Sequence, residues 1–183
     1  MINLKRGFKV VSSYTAKQIK LPVRATQQAA GYDFFAAEDF VLPSIWQPKF
    51  IKVLWQLFTK AKTDISATEK AAAEKDLQPL LVPTGVKAYM QADEFLMLAN
   101  RSSNPLKRRL ILPNGVGIVD ADYYNNPKNE GEIFFQLLNF GLKSQLIKKG
   151  EKIGQGIFLP FLLADDEVHP QQKRQGGFGS SGK

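Results

Sequence analysis

The chain contains no cysteine and only one histidine in 183 residues. Without cysteine there is no disulfide, thiolate metal site or cysteine nucleophile, and a reducing compartment is expected. The zinc nucleobase deaminases are excluded as well, because their metal takes His and Cys ligands together. The lone His169 has no Ser or Asp partner at a recognisable spacing. A hydrolytic triad is therefore not expected, and a histidine-built metal centre is excluded by count. No run approaches the ~20 apolar residues of a membrane span. The basic segment Met1–Tyr14 lacks the apolar stretch of about 7–15 residues that marks a signal peptide. A cytoplasmic protein with no membrane partner is expected. Acidic residues are also in the minority, 17 against 25 Lys and Arg, and the net charge of +8 favours polyanionic ligands. The cations are scattered in small groups such as Lys107-Arg108-Arg109 and Lys148-Lys149. That is the pattern of a solvated surface, so no nucleic-acid partner is expected.

What the chain does have is enough apolar residues, 44%, for a packed core in one domain. Short apolar runs alternate with Pro, Asn and Gly: Tyr32–Ala37, Leu80–Val82, Val86–Met90, Phe95–Leu98, Ile133–Leu138 and Ile153–Phe161. This predicts an all-β antiparallel sandwich or jelly roll. Between Pro43 and Pro79 the period changes to 3.6 residues. Phe50, Leu54, Leu57, Phe58 and Ala61 share one helical face after Pro48, and Ser66 with Glu69 spells a capping box opening a second helix. A helical hairpin over about 44–79 is therefore expected as an insertion, its apolar stripe packed on the parent sheet. The alternative is a surface for a protein partner. Residues 1–163 form the β domain on this reading, and 164–183 a polar linker and glycine-rich arm.

Candidate chemistry concentrates between Asn100 and Asn126. Arg101, Ser102 and Ser103 offer a forked cation and two hydroxyls, suited to phosphate or simply to a strand end. Pro113-Asn114-Gly115 reads as a tight turn, either an ordinary hairpin or one whose backbone reads the edge of a base. Asp120 ends the apolar run Val116–Val119, and Asp122 is expected on the same strand face. Such a carboxylate activates a water, binds a cation or faces solvent. Tyr123 offers a flat face for a sugar or base, or packs in the core. The tail from Gly177 spells Gly-x-x-x-x-Gly-Lys, yet neither a hydroxyl residue nor a helix follows Lys183, so a nucleotide P-loop is not expected.

Together these pieces resemble the trimeric dUTP pyrophosphatase (dUTPase) family. Its five motifs are matched in order by Ala30–Ala37, Arg101-Ser102-Ser103, Gly117–Tyr123, Gly150–Gln155 and the tail Gly176–Gly182, with Leu81–Gly85 between the first two. The resemblance implies a jelly-roll homotrimer with active sites shared between subunits. It implies attack of water on the α-phosphorus of dUTP, giving dUMP and pyrophosphate. Asp120 would activate the water and Tyr123 would stack on the deoxyribose. Asn114, Gly117, Ile118, Val119 and the Asp120 backbone would hold uracil. Arg101, Ser102, Ser103 and Gln155 would grip phosphates, with Asp33 in support. Phe178 and Gly179 would close over the base, with Arg174, Ser180 and Ser181 on the β- and γ-phosphates. Mg²⁺ would be held through phosphates and water, with no direct protein ligand.

The chain departs from the family pattern in four places. Ser103 replaces a glycine, and Lys152 and Gly154 stand where an arginine and an alanine are usual. After Tyr123 the segment Tyr-Asn-Asn-Pro-Lys-Asn lengthens a turn before Gly131-Glu132. An ungapped match of the last motif puts Lys173 at its arginine, and a one-residue slip restores Arg174. Two other functions stay open on sequence: a dCTP deaminase of the same fold, and a regulatory protein that binds through the helical insertion.

Overall fold

The computed structural model describes residues 4–59, 65–167 and 176–177. Its strands are β1 (Gly7–Val10), β2 (Val23–Arg24), β3 (Tyr32–Phe35), β4 (Phe40–Leu42), β5 (Leu80–Pro83) and β6 (Val86–Tyr89). They continue with β7 (Glu94–Ala99), β8 (Leu110–Ile111), β9 (Val116–Asp120), β10 (Phe134–Asn139), β11 (Gln145–Ile147) and β12 (Lys152–Pro160). A five-stranded sheet runs in the order β2-β3-β12-β7-β9, beside a three-stranded sheet β5-β10-β8 and the pairs β1-β6 and β11-β4. Every strand pair is antiparallel. This is the expected all-β, jelly-roll-like architecture, in which every pair but β2-β3 joins strands that are not consecutive in the chain.

Inward side chains follow the period-two rule: Leu96 and Leu98 on β7, and Phe135 and Leu137 on β10, are buried between half-buried neighbours. The two larger sheets meet where the Phe34 and Phe135 rings stand 5.5 Å apart, within one core that also holds Leu110 and Ile153. Gly154 makes that contact possible, because a Cβ there would lie 1.9 Å from Cε1 of Phe135. The glycine and the fully buried phenylalanine are thus complementary, which accounts for the departure from alanine at this position. Gly154→Ala is expected to lower stability by about 1–3 kcal/mol through overpacking. Thermal denaturation should show the loss, and adding Phe135→Leu should recover part of it. An unchanged Tm in the single variant would contradict the packing argument.

The helical insertion forms as the caps dictate. Helix α1 spans Pro48–Thr59 and α2 spans Ala67–Asp76, opened by Ser66, whose hydroxyl accepts from the Glu69 amide while the Glu69 carboxylate reaches back. A Lys52–Glu69 ion pair at 2.7 Å ties the helices, and bonds to Lys52 first, then Ser66, hold the Glu69 carboxyl down at about 2. The expected packing of the apolar stripe on the parent sheet is not seen for Leu57 and Phe58. The helices pack on each other, with Val53 of α1 and Ala73 of α2 buried and Leu57 60% and Phe58 80% exposed. The stem is anchored at its start, where Trp46 Nε1 donates to the Phe140 carbonyl at 3.0 Å. Among the described residues no helix is long and apolar enough to cross a membrane.

Candidate active site

Strand β9 is the edge of the five-stranded sheet, and among the described residues it pairs only with β7. Alternate residues of such a strand aim their N–H and C=O groups away from the partner strand. Here they border a cavity of about 220 Å³. Gly117, Ile118 and Val119 line one side of it, Ile133–Gln136 the other, with Asn114 and Tyr123 also on its wall. The strand is brought there by the turn at Pro113-Asn114-Gly115, where the Gly115 amide donates to the Leu112 carbonyl at 3.0 Å and Gly115 has φ +70°. This is not an ordinary hairpin, because β8 pairs with β10 while β9 pairs with β7. The turn carries the chain from one sheet to the other and opens the cavity between them. Gly117 keeps the floor low, since a Cβ there would lie 3.2 Å from Cβ of Leu98.

Tyr123 closes one end of this cavity and is 7% exposed. Its hydroxyl donates to the Glu132 carbonyl at 3.0 Å and accepts from Asn129 Nδ2 at 2.8 Å. Gly177 of the same chain lies against the ring, where a Cβ would stand 2.8 Å from Cε2. Asp120 ends β9 and lines a second, open depression with Asp122, Ala121 and Phe161. The expected strand alternation of Asp120 and Asp122 is corrected: β9 stops at Asp120, and Ala121–Tyr123 is a 3₁₀ turn.

A second cluster surrounds Asp33, a buried carboxylate only 6% exposed. Arg101 Nε donates to its Oδ1 at 3.0 Å, and Lys152 Nζ pairs with Oδ2 at 2.6 Å. Two cations on one carboxylate leave a net positive charge for an anion. Ser103 Oγ stands 3.5 Å from Nη1 of Arg101, with Ser102 exposed beside it. Gln155 sits across from both Asp33 and Ala99 in the sheet, its Nε2 donating to the Asn100 carbonyl at 3.3 Å. Asn104, fully buried, bonds Asn100 Oδ1 at 2.7 Å and the Ile153 carbonyl at 2.8 Å, fixing the segment that carries Arg101.

The chain matches the dUTPase family model over residues 58–182. It is 44% identical over 178 residues to the deoxyuridine 5'-triphosphate nucleotidohydrolase of Lactococcus lactis, an alignment covering 97% of each chain. The chain belongs to the dUTPase family. A crystal structure of dUTPase from Streptococcus mutans is similar at a TM-score of 0.66 and 40% identity, covering 87% of this chain and 98% of that one. A dUTPase from phage phi11 of S. aureus, 15% identical, shares the fold at a TM-score of 0.61 over 93% of this chain and 99% of that one.

Within a single chain of this dUTPase the expected site residues fall into two separate groups. The first comprises Asn114, Gly117, Ile118, Val119 and Tyr123 at the cavity, with Asp120 directly after Val119 at the end of β9 and lining the neighbouring depression. The second comprises Asp33, Arg101, Ser103 and Gln155. Asp120 lies opposite Phe95, while Arg101 follows Ala99 at the other end of β7. The four steps from Phe95 to Ala99 alone span ~14 Å of strand. Arg174, Phe178, Gly179, Ser180 and Ser181, like Lys173, lie outside the described residues.

Sequence reasoning overlooked two features of this dUTPase. Lys152 is a second cation on Asp33, legible only once β3 and β12 are paired. Glu132 lines the cavity, and burial pushes its carboxyl above the usual carboxylate range, against the Gly85 amide it accepts from at 3.1 Å. The lengthened turn between Tyr123 and Gly131 was the signal for crowding here, but not for its geometry.

Proposed function

We propose that this dUTPase-family chain hydrolyses dUTP to dUMP and pyrophosphate. The observation that carries the reading is the cavity between β9 and β10, with a strand edge on one wall and a buried tyrosine at its end. Uracil lies along β9, where fixed backbone donors and acceptors and Asn114 match its edge and the close walls reject bulk at C5. The deoxyribose stacks on Tyr123, whose ring leaves no space for a 2′-hydroxyl. Asp120 takes a proton from water as its oxygen bonds to the α-phosphorus. The bond to the bridging oxygen breaks, and pyrophosphate leaves. Arg101, Ser102, Ser103 and Gln155 hold phosphates, with Asp33 aiming Arg101. Phe178 and Gly179 cover the base, with Arg174, Ser180 and Ser181 on the outer phosphates.

The separation of Asp120 from Arg101 along β7 supports a site shared between copies, as in a homotrimer. A single chain cannot bring its own Arg101 to a phosphate held beside its own Asp120. Among the described residues no three His, Asp or Glu side chains converge on a point. Mg²⁺ would be held through substrate phosphates and water, and would supply neutralisation of phosphate charge. A structure of a mutant phage phi11 dUTPase, 15% identical, is described as coordinating a structural Mg(II) ion. The deciding assay incubates the purified protein with dUTP and with dCTP. Pyrophosphate from dUTP is expected; ammonia from dCTP would make the chain a deaminase instead.

The exposed Trp55, Leu57 and Phe58 favour a second role for the insertion, as a surface for a protein partner. Deleting residues 48–78 should then leave dUTP turnover within about twofold, because neither helix supplies a residue to the cavity lining or to the ion pairs on Asp33. Collapse of activity with assembly intact would place the insertion in the active site.

A further inference from the structure

The turn that departs most from the family pattern, residues 124–131, wraps the residue that would read the sugar. Asn129 is held so that its amide has one orientation. Its Oδ1 accepts from the Gly131 amide at 3.2 Å and from Asn126 Nδ2 at 2.8 Å. Rotating the amide by 180° would set NH₂ against both donors, so Nδ2 must face the Tyr123 hydroxyl. That hydroxyl, occupied as an acceptor, then donates its one proton to the Glu132 carbonyl. Asn126, itself buried, bonds the Tyr123 carbonyl through Nδ2 at 2.9 Å. Ring and backbone of Tyr123 are thus gripped by the same turn.

The turn is itself anchored to the β domain. Lys87, buried on β6, places Nζ 2.6 Å from Asn125 Oδ1 and 2.9 Å from Glu130 Oε1. The other Glu130 oxygen accepts from the Ser12 amide at 2.7 Å and from its hydroxyl. Bonds from Ser12 first, then Lys87, hold the Glu130 carboxyl down at about 2, so the anchor stays charged where ordinary carboxylates protonate. A turn secured at both ends transmits little slack to the ring it holds.

We propose that Asn129 is a positioning residue for sugar discrimination, fixing the Tyr123 ring through its hydroxyl so that a 2′-hydroxyl is excluded. The proposal rests on the reading that Tyr123 stacks on deoxyribose. A ring free to tilt would admit the ribonucleotide, because small displacements are enough to lose a steric filter.

The test compares kcat/KM for dUTP and UTP in the full chain and in Asn129→Ala, Tyr123→Phe, Tyr123→Ala and the Asn129→Ala/Tyr123→Phe double variant, with Tm measured for each. Asn129→Ala should lower the dUTP/UTP ratio about five- to tenfold, the scale of one buried hydrogen bond. Tyr123→Phe, which keeps the ring volume, should do the same. The double variant should fall well short of the sum of the two single losses, because each single variant already removes the Asn129–Tyr123 bond. A dUTP/UTP ratio unchanged in Asn129→Ala while Tyr123→Ala lowers it would overturn the proposal and leave the sugar-stacking reading intact. A ratio unchanged even in Tyr123→Ala would sink both. Fully additive losses in the double variant, or a fall in Tm and activity at constant ratio, would make Asn129 merely structural.

Discussion

Asp120→Asn should cut dUTP hydrolysis by roughly 10²–10⁴-fold, the range of a lost general base, while leaving substrate affinity nearly unchanged. The substitution keeps size and shape at the end of β9, so the strand, its pairing to β7 and the cavity beside it should persist. What disappears is the ability to accept a proton from water as the bond to phosphorus forms. Single-turnover kinetics and equilibrium binding of a non-hydrolysable dUTP analogue separate the two effects. Turnover near wild type would remove Asp120 from the water-activating role. Weakened binding with a matching loss in kcat/KM would point instead to a structural carboxylate.

Removing residues 176–183 should nearly abolish turnover while the assembly and fold survive. The described start of this arm already reaches the cavity, because Gly177 lies against the Tyr123 ring and is among the cavity's lining residues. No Cβ fits at that approach, which explains a glycine at this point of the tail. The arm on this reading closes the site to all but the attacking water, so its loss exposes phosphates and base to solvent. Size-exclusion behaviour and Tm should match the full chain, with dUTP turnover down at least about 100-fold, on the scale of losing positioned groups around a transition state. An active truncated protein would confine the chemistry to the β domain.

Much of this was legible in local patterns. Strand positions followed from apolar alternation bounded by Pro and Gly, and both insertion helices from Pro48 and the Ser66/Glu69 box. Caps and turns are local, so sequence suffices for them. The insertion's packing was not legible, since an apolar stripe says that a face is to be covered but not by what. The turn at Asn114-Gly115 was legible as a turn, but not as a crossover between sheets, because strand pairing is set by contacts far apart in sequence. The Asp120/Asp122 alternation failed for a smaller reason: the strand stops at Asp120, two residues short of Asp122, and the chain turns into a 3₁₀ segment.

By itself the sequence determined the chemistry available. It carries no thiol and too few histidines for a histidine-built metal centre, and it has an ordered set of motifs that supplies an aspartate, a tyrosine and a forked cation. Only the tertiary structure decided where those groups stand. It put Arg101 and Lys152 together on a buried Asp33, set Asp120 at the far end of the strand from them, and clamped Tyr123 with a turn anchored to Lys87. The physical reason is that residue type is a property of one position. Burial, register and hydrogen-bond direction belong to pairs of positions that the chain brings together only on folding.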